Sequence, residues 1–165
     1  MPNDKKIHID QMSIVDGAII GEGTSVGPFS IIENGVVIGN NCEIQSSVAL
    51  SYGVEVGNNV FIGSGSKLTN TRKPVANEPN ATSCVGKIRI NDNVSIGANV
   101  TIICGTNERP LEIGKGATIG AGSVITKSVP QFVTVVGNPA GILVKDILGN
   151  TFVINFEQYF IKKIR

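Results

Sequence analysis

The sequence predicts an all-β chain wound as a parallel β-helix, and three observations carry that expectation. Stepping by six from Ile14 gives Ile20, Val26, Ile32, Ile38, Ile44, Leu50, Val56, Ile62 and Leu68, every one aliphatic. Four residues after each comes a smaller set that also looks inward: Ala18, Thr24, Ser30, Val36, Cys42, Val48, Val54, Val60 and Ser66. Three residues after most of the aliphatics stand Gly17, Gly23, Gly35, Asn41, Gly53, Asn59 and Gly65, residue types that tolerate positive φ at a tight corner; Phe29 and Ser47 are the exceptions. Each hexad is therefore a short strand plus a corner.

The segments IIGEGT, VIGNNC and EVGNNV begin eighteen residues apart, at Ile19, Val37 and Glu55, so three hexads close one triangular coil. An amphipathic helix needs apolar residues at intervals of three and four, which a strict period of six does not supply. The frame breaks after Leu68 and resumes at Ile90, Ile96 and Ile102, with Val94 and Val100 inside and Asn93, Asn99 and Gly105 at corners. It slips once more before Ile113, Ile119 and Ile125. Two excursions follow: a long loop over 69–87 that contains two prolines, and a smaller insertion, NERPL, over 107–111. The β-helix domain is expected over 1–145, and 146–165 is a C-terminal extension that holds four of the eight aromatic residues and covers the open end or a neighbouring subunit. A narrow prism leaves no room for a large ring, which agrees with the absence of tryptophan.

Composition narrows the partners. Fourteen basic and 13 acidic residues give a net charge of +1, spread along the chain, so no electrostatic footprint for nucleic acid is present. The polar start MPNDKKIHID and the lack of any long apolar run predict a cytoplasmic protein without a membrane partner. Cys42, Cys84 and Cys104 are odd in number and form no CxxC pair, which fits a reducing compartment. Cys42 and Cys104 are expected to pack rather than react.

The IGxGxxIG-type hexads, SIGANVTIICG at 95–105 and VVGNPA at 135–140 resemble the hexapeptide-repeat acyltransferases with a left-handed β-helix. More narrowly, LTN followed by a proline-containing loop and then SIGANVTIICG resembles the enzymes that acylate a 3-amino group on a UDP- or dTDP-linked sugar. The handedness is implied by the resemblance alone, which covers about residues 14 to 145. It implies a homotrimer with active sites between subunits and acetyl-CoA or another acyl-CoA as cosubstrate. Ala98, Asn99, Gly105, Ala121 and Ser123 match positions along the pantetheine arm, and Asn138, Pro139 and Ala140 match the end near the coenzyme's nucleotide. Asn70 matches an asparagine that contacts the sugar's amino group, and Thr71 to Val85 help to hold the nucleotide-sugar. Lys127 and Lys145 are candidates for the coenzyme phosphates. Arg72 and Lys73 either bind the sugar phosphates or solvate the loop. A basic residue commonly follows the GNPA stretch where this chain has Gly141, so Lys145 is the alternative source of that charge.

The chemistry constrains the acceptor. Acylating an alcohol needs a base, usually histidine, to activate a weak nucleophile. The only histidine is His8, ahead of the repeat. A neutral amine is already a good nucleophile and needs positioning plus stabilisation of an oxyanion, for which the Gly105 N–H is the candidate donor. The reading is thus a nucleotide-sugar N-acyltransferase serving bacterial surface-glycan synthesis, with no metal implied. The alternatives are an O-acetyltransferase using His8 or a carboxylate among Glu33, Asp92 and Glu78, and a non-catalytic β-helix scaffold. A carbonic anhydrase on the same fold fails on counting, since its zinc needs three histidines.

Overall fold

The computed structural model describes residues 6–76 and 85–163. Of the residues singled out above, Glu78 and Cys84 lie outside the described residues, as do segment 77–84 of the long loop and both chain ends. The chain forms a left-handed parallel β-helix of three sheets. Sheet A stacks β1 (His8–Ile9), β4 (Ser25–Val26), β7 (Glu43–Ile44), β10 (Phe61–Ile62), β13 (Ser95–Ile96), β16 (Thr118–Ile119) and β18 (Thr134–Val136). Sheet B stacks β2 (Ile14–Val15), β5 (Ile31–Ile32), β8 (Ala49–Leu50), β11 (Lys67–Leu68), β14 (Thr101–Ile102) and β17 (Val124–Ile125). Sheet C holds β3 (Ile19–Ile20), β6 (Val37–Ile38), β9 (Val54–Val56), β12 (Ile88–Ile90) and β15 (Leu111–Ile113).

The two-residue strands turn their second residue inward, where Ile32, Ile38, Ile44, Leu50, Ile62 and Leu68 are buried on successive sides. The smaller inward set is buried beside them, and its polar members have partners. Thr24 Oγ1 donates to the Gly39 carbonyl, and Ser66 Oγ to that of Gly97, so the burial of each hydroxyl costs little. Phe29 and Ser47 adopt φ of 60° and 59°, like the Gly and Asn at equivalent corners. The corner dictates the conformation even where the residue type does not favour it.

The first coil departs from the expected frame. Val15, not Ile14, pairs in register with the buried Ile32, and Ile14 is 61% exposed. The inward series thus runs Ile9, Val15, Ile20 and Val26, with one corner a residue short. Position 14 reads as inward because Ile and Val are adjacent at 14–15, and either one satisfies a six-residue count.

A ladder of side chains runs up the corner between sheets C and A. Asn40 Oδ1 accepts the Glu22 N–H, Asn58 Oδ1 accepts the Asn40 N–H, and Asp92 Oδ1 accepts the Asn58 N–H, each at 2.8 Å. Asn58→Ala should lower stability by about 1 kcal/mol through loss of one rung, read as a shift in the denaturation midpoint at unchanged m-value.

Parallel stacking ends at β18. The chain reverses over 137–140, and β19 (Gly141–Lys145) and β20 (Thr151–Ile154) continue sheet A as antiparallel strands. Helix α1 (Phe156–Lys163) follows, and Ile142, Ile154 and Phe156 join the core, with Tyr159 packed against it. The helix begins on a reciprocal capping pair: Asn155 Oδ1 accepts the Gln158 N–H at 2.8 Å, and Gln158 Oε1 accepts the Asn155 N–H at 3.1 Å.

Candidate functional site

The three edges of the prism carry different chemistry. On the edge between sheets A and B, the corners of successive coils are Gly63–Ser66, Gly97–Val100, Gly120–Ser123 and then Gly137–Ala140. Ala98, Asn99 and Ala121 stand outward here on neighbouring coils, with Asn99 at φ 55°. Small outward side chains leave this edge smooth along the prism axis. Ser123 departs from its expected role. It occupies the small inward position of its hexad, is fully buried, and its Oγ accepts the Gly137 N–H at 3.1 Å, so its side chain faces the core rather than a bound chain.

Both excursions leave from the edge between sheets B and C, one directly above the other. The first closes at its base through an antiparallel bridge between Thr71 and Val85 and through the Gly86 N–H donating to the Asn70 carbonyl at 2.7 Å. Thr71 Oγ1 donates to Asn70 Oδ1 at 3.2 Å, which fixes the orientation of the amide. Its Nδ2 takes no partner among the described residues, so two donors remain at the loop's root. Arg72 reaches the coil above, where its Nη1 donates to the Cys104 carbonyl at 3.2 Å. Lys73 is exposed.

The second excursion covers 103–110 rather than the expected 107–111: it starts where β14 ends, and Leu111 is already buried within β15. Thr106 and Arg109 close it into a tight turn: the Thr106 N–H donates to the Arg109 carbonyl, and the Arg109 N–H donates to Thr106 Oγ1. Gly105 also departs from expectation. It does not share the positive φ of the other corner residues, and its N–H, the candidate oxyanion donor, donates to the Lys87 carbonyl at 3.1 Å. The Leu111 N–H shares that acceptor at 3.0 Å. Gly86 sits between the excursions so tightly that an added Cβ would run into the Gly105 carbonyl oxygen and come 2.9 Å from Cys104 Sγ. Cys104 is buried, and that burial pushes its thiol pKa up against the opposing influence of nearby Arg72; burial raises the Cys42 thiol as well.

The other expected site residues fall in two places. Lys127, Pro139 and Ala140 line a groove of about 280 Å³ with Thr126 and the start of the C-terminal helix, Asn155, Phe156 and Glu157. Lys127 Nζ lies 3.7 Å from Glu157 Oε1, an exposed pair. Asn138 is exposed on the reversal that precedes this groove. Lys145 is not with them: it lines a different groove, beside Val144, Phe152 and Tyr159. The helix residues Asn155, Phe156 and Glu157 escaped the sequence reading, although Asn155-Phe-Glu-Gln158 is a helix-start signature that identifies the element.

Among the described residues, the potential bases His8, Glu33 and Asp92 are placed away from the excursions or engaged; Glu78 lies outside the described residues. His8 lies on β1, three rungs below β10, roughly 14 Å along the axis at the usual strand spacing. Glu33 Oε2 accepts the Tyr52 N–H at 2.7 Å, and Asp92 serves the corner ladder.

The profile described as bacterial transferase hexapeptide (six repeats) matches residues 17–51 and 35–70, and that described as hexapeptide repeat of succinyl-transferase matches 87–127. Among solved structures, WeeI from Acinetobacter baumannii AYE is 37% identical with a TM-score of 0.66, over 79% of this chain and 54% of that one. The acetyltransferase domain of PglB from Neisseria gonorrhoeae FA1090, in complex with acetyl coenzyme A, is 25% identical with a TM-score of 0.68, over 85% and 58%. Among curated proteins, the bifunctional protein GlmU of Acinetobacter baumannii (strain AYE) is 34% identical over 137 residues, 74% of this chain and 28% of that protein. The chain spans less than a third of the length of the curated relatives it matches. Its hexad profiles together span more than half of its residues, and the chain belongs to the hexapeptide-repeat transferases.

Proposed function

We propose that the chain is a cytoplasmic, homotrimeric, acyl-CoA-dependent N-acyltransferase that transfers an acetyl group to the amine of a UDP- or dTDP-linked amino-deoxy sugar in bacterial surface-glycan synthesis. One observation carries the choice of an amine: the edge that holds Asn70 has no histidine. His8 is the chain's single histidine and lies about three rungs away. Parallel prisms around a three-fold axis keep their residues at equal heights, so a neighbour's His8 is equally remote. An alcohol acceptor lacks its usual base here, whereas a neutral amine needs only orientation and a donor for the oxyanion.

The placement of the residues supports that assembly. The coenzyme set, Ala98, Asn99, Ala121, Asn138, Pro139 and Ala140, occupies the A–B edge, and the acceptor set, Asn70, Thr71, Arg72 and Lys73, occupies the B–C edge. Six residues of extended chain separate the two, about 20 Å. Packing the A–B edge of one copy against the B–C edge of the next brings the sets together and turns sheet B toward the axis. Its exposed Ile14 and Ile31 fit that placement. Lys127 and Ala140 fit a coenzyme terminus in the groove beside the C-terminal helix.

When bound, the coenzyme supplies an activated thioester, and its departing sulfur takes up the amine's proton. The chain's part is to orient the amine at Asn70 and to offer Asn70 Nδ2 as a donor, since the Gly105 N–H is engaged. The reading is tested by mass spectrometry of products from acetyl-CoA with UDP- and dTDP-linked 3-amino and 4-amino sugars beside their hydroxyl counterparts. One added acetyl on an amine, unaffected by His8→Ala, is expected. Transfer to a hydroxyl sugar that His8→Ala abolishes would replace this reading with O-acylation. Failure with every acceptor and with longer acyl donors would leave the scaffold.

A further inference from the structure

The tip of the C-terminal hairpin is an apolar projection that neither the fold nor the proposed chemistry uses. Between β19 and β20 the chain turns through Asp146–Asn150, and Ile147 and Leu148 there are 102% and 81% exposed. This turn is held firmly. Asp146 Oδ1 accepts the N–H groups of Leu148 and Asn150, each at 2.9 Å, and Asp146 Oδ2 accepts Asn150 Nδ2 at 2.9 Å. The two aliphatics are thus presented to solvent by a built structure.

Phe132 adds a second, independent feature. Continuing the antiparallel register of Thr134 with Leu143 places Phe132 opposite Lys145, at the root of the same projection. It is 69% exposed and adopts φ 58°, a conformation that is costly for a bulky side chain and met by Gly or Asn at most equivalent corners. The hairpin itself is apolar on both faces, with exposed Phe152 on one and exposed Val153 on the other. A flat protein surface would cover one face only. A projection that is apolar at its tip and on both faces suits a medium that surrounds it.

Two exposed cations flank the ridge. Lys145 pairs with Thr151 at the foot of the turn, and Lys115 lies on the coil beneath, its carbonyl accepting the Phe132 N–H at 2.9 Å. The Asp146 carboxylate stays ionised, because the N–H donors of the turn, Asn150 Nδ2 first among them, hold its pKa down, so the ridge carries two cations against one anion.

We propose that Phe132, Ile147 and Leu148 form a lipid-docking ridge that seats the protein, C-terminal end first, on an anionic bilayer surface. Apolar side chains enter the acyl boundary while Lys115 and Lys145 meet the headgroups, the division of labour of peripheral membrane anchors. The ridge stands on the C–A edge. If sheet B faces the axis, as in the trimer proposed above, that edge points outward and is free in the assembly. Three ridges then project from one end, and binding of the first raises the effective concentration of the other two.

The test is co-sedimentation of the purified full chain with vesicles of phosphatidylcholine alone and with phosphatidylglycerol added. The wild type should pellet with the anionic vesicles and be released by salt. The double variant Ile147→Asp, Leu148→Asp should bind at least about tenfold more weakly, given the apolar surface it removes. Phe132→Asn, which relieves the strained corner, should fold at least as well and still lose binding, and Lys115→Gln should reduce the salt dependence. No pelleting of the wild type, or equal pelleting of the double variant, overturns the proposal. Conversion of the double variant from trimer to monomer in light scattering also overturns it and makes the ridge a contact between copies. Pelleting requires no turnover, so it reads the ridge independently of the proposed acyl transfer.

Discussion

Asn70→Ala should lower kcat by about a hundredfold or more, with the thermal midpoint of the protein nearly unchanged. The magnitude is that of losing one well-placed donor to a developing oxyanion. Stability is spared because the bond that closes the loop's root, Gly86 N–H to the Asn70 carbonyl, belongs to the backbone and survives the substitution. The side chain's own bond, from Thr71 Oγ1, is part-buried and neutral, and its loss costs about 1 kcal/mol at most. The acceptor's KM should change less than kcat if Arg72 and Lys73, rather than Asn70, hold the sugar phosphates as proposed. Unchanged kcat with a competent acceptor would remove Asn70 from the reaction.

Gly86→Ala should have an effect of similar size by a different route. An added methyl meets the Gly105 carbonyl and Cys104 Sγ, neither of which has room to withdraw: Gly105 is itself pressed against the 109–111 backbone, and Cys104 is buried. Overpacking of this kind costs about 1–3 kcal/mol. It separates the two excursions and moves the strand end whose N–H holds Asn70. Turnover should fall at least about tenfold, the usual penalty for displacing a positioning contact by a fraction of an ångström. Coenzyme binding, measured by calorimetry, should remain intact, because the A–B edge is untouched. Equal loss of coenzyme affinity would mean that the two edges are not independent.

The sequence reading was most secure where residue type and position repeat together. A period of six with corner glycines allows no other common fold, and even Phe29 and Ser47 follow the corner geometry because their neighbours above and below impose it. It failed where the count is degenerate. Adjacent Ile14 and Val15 satisfy two registers, and only pairing with Ile32 separates them. Hexad geometry also limits what two of the expected site residues can offer. Ser123 and Gly105 carry motif identities, yet hexad geometry sends the first side chain inward, and backbone bonding between coils consumes the N–H of the second. The tail was the least legible part. Its strands run antiparallel and lack the six-residue rhythm, so only the capping pair at Asn155 announced structure there.

The register of sheet A passes across the long excursion undisturbed. Ile62 pairs with Ile44, eighteen residues earlier, and with Ile96, thirty-four residues later, in the same geometry. Each coil touches only those above and below it, so residues added at a corner alter no pairing elsewhere, and a longer loop raises the entropy of closure only logarithmically. The scaffold therefore has a built-in tolerance of insertion at the edge where the proposed acceptor residues stand. On the proposed function, acceptor choice in such a chain can diverge through changes in loop length while the prism and the proposed coenzyme edge remain under separate selection.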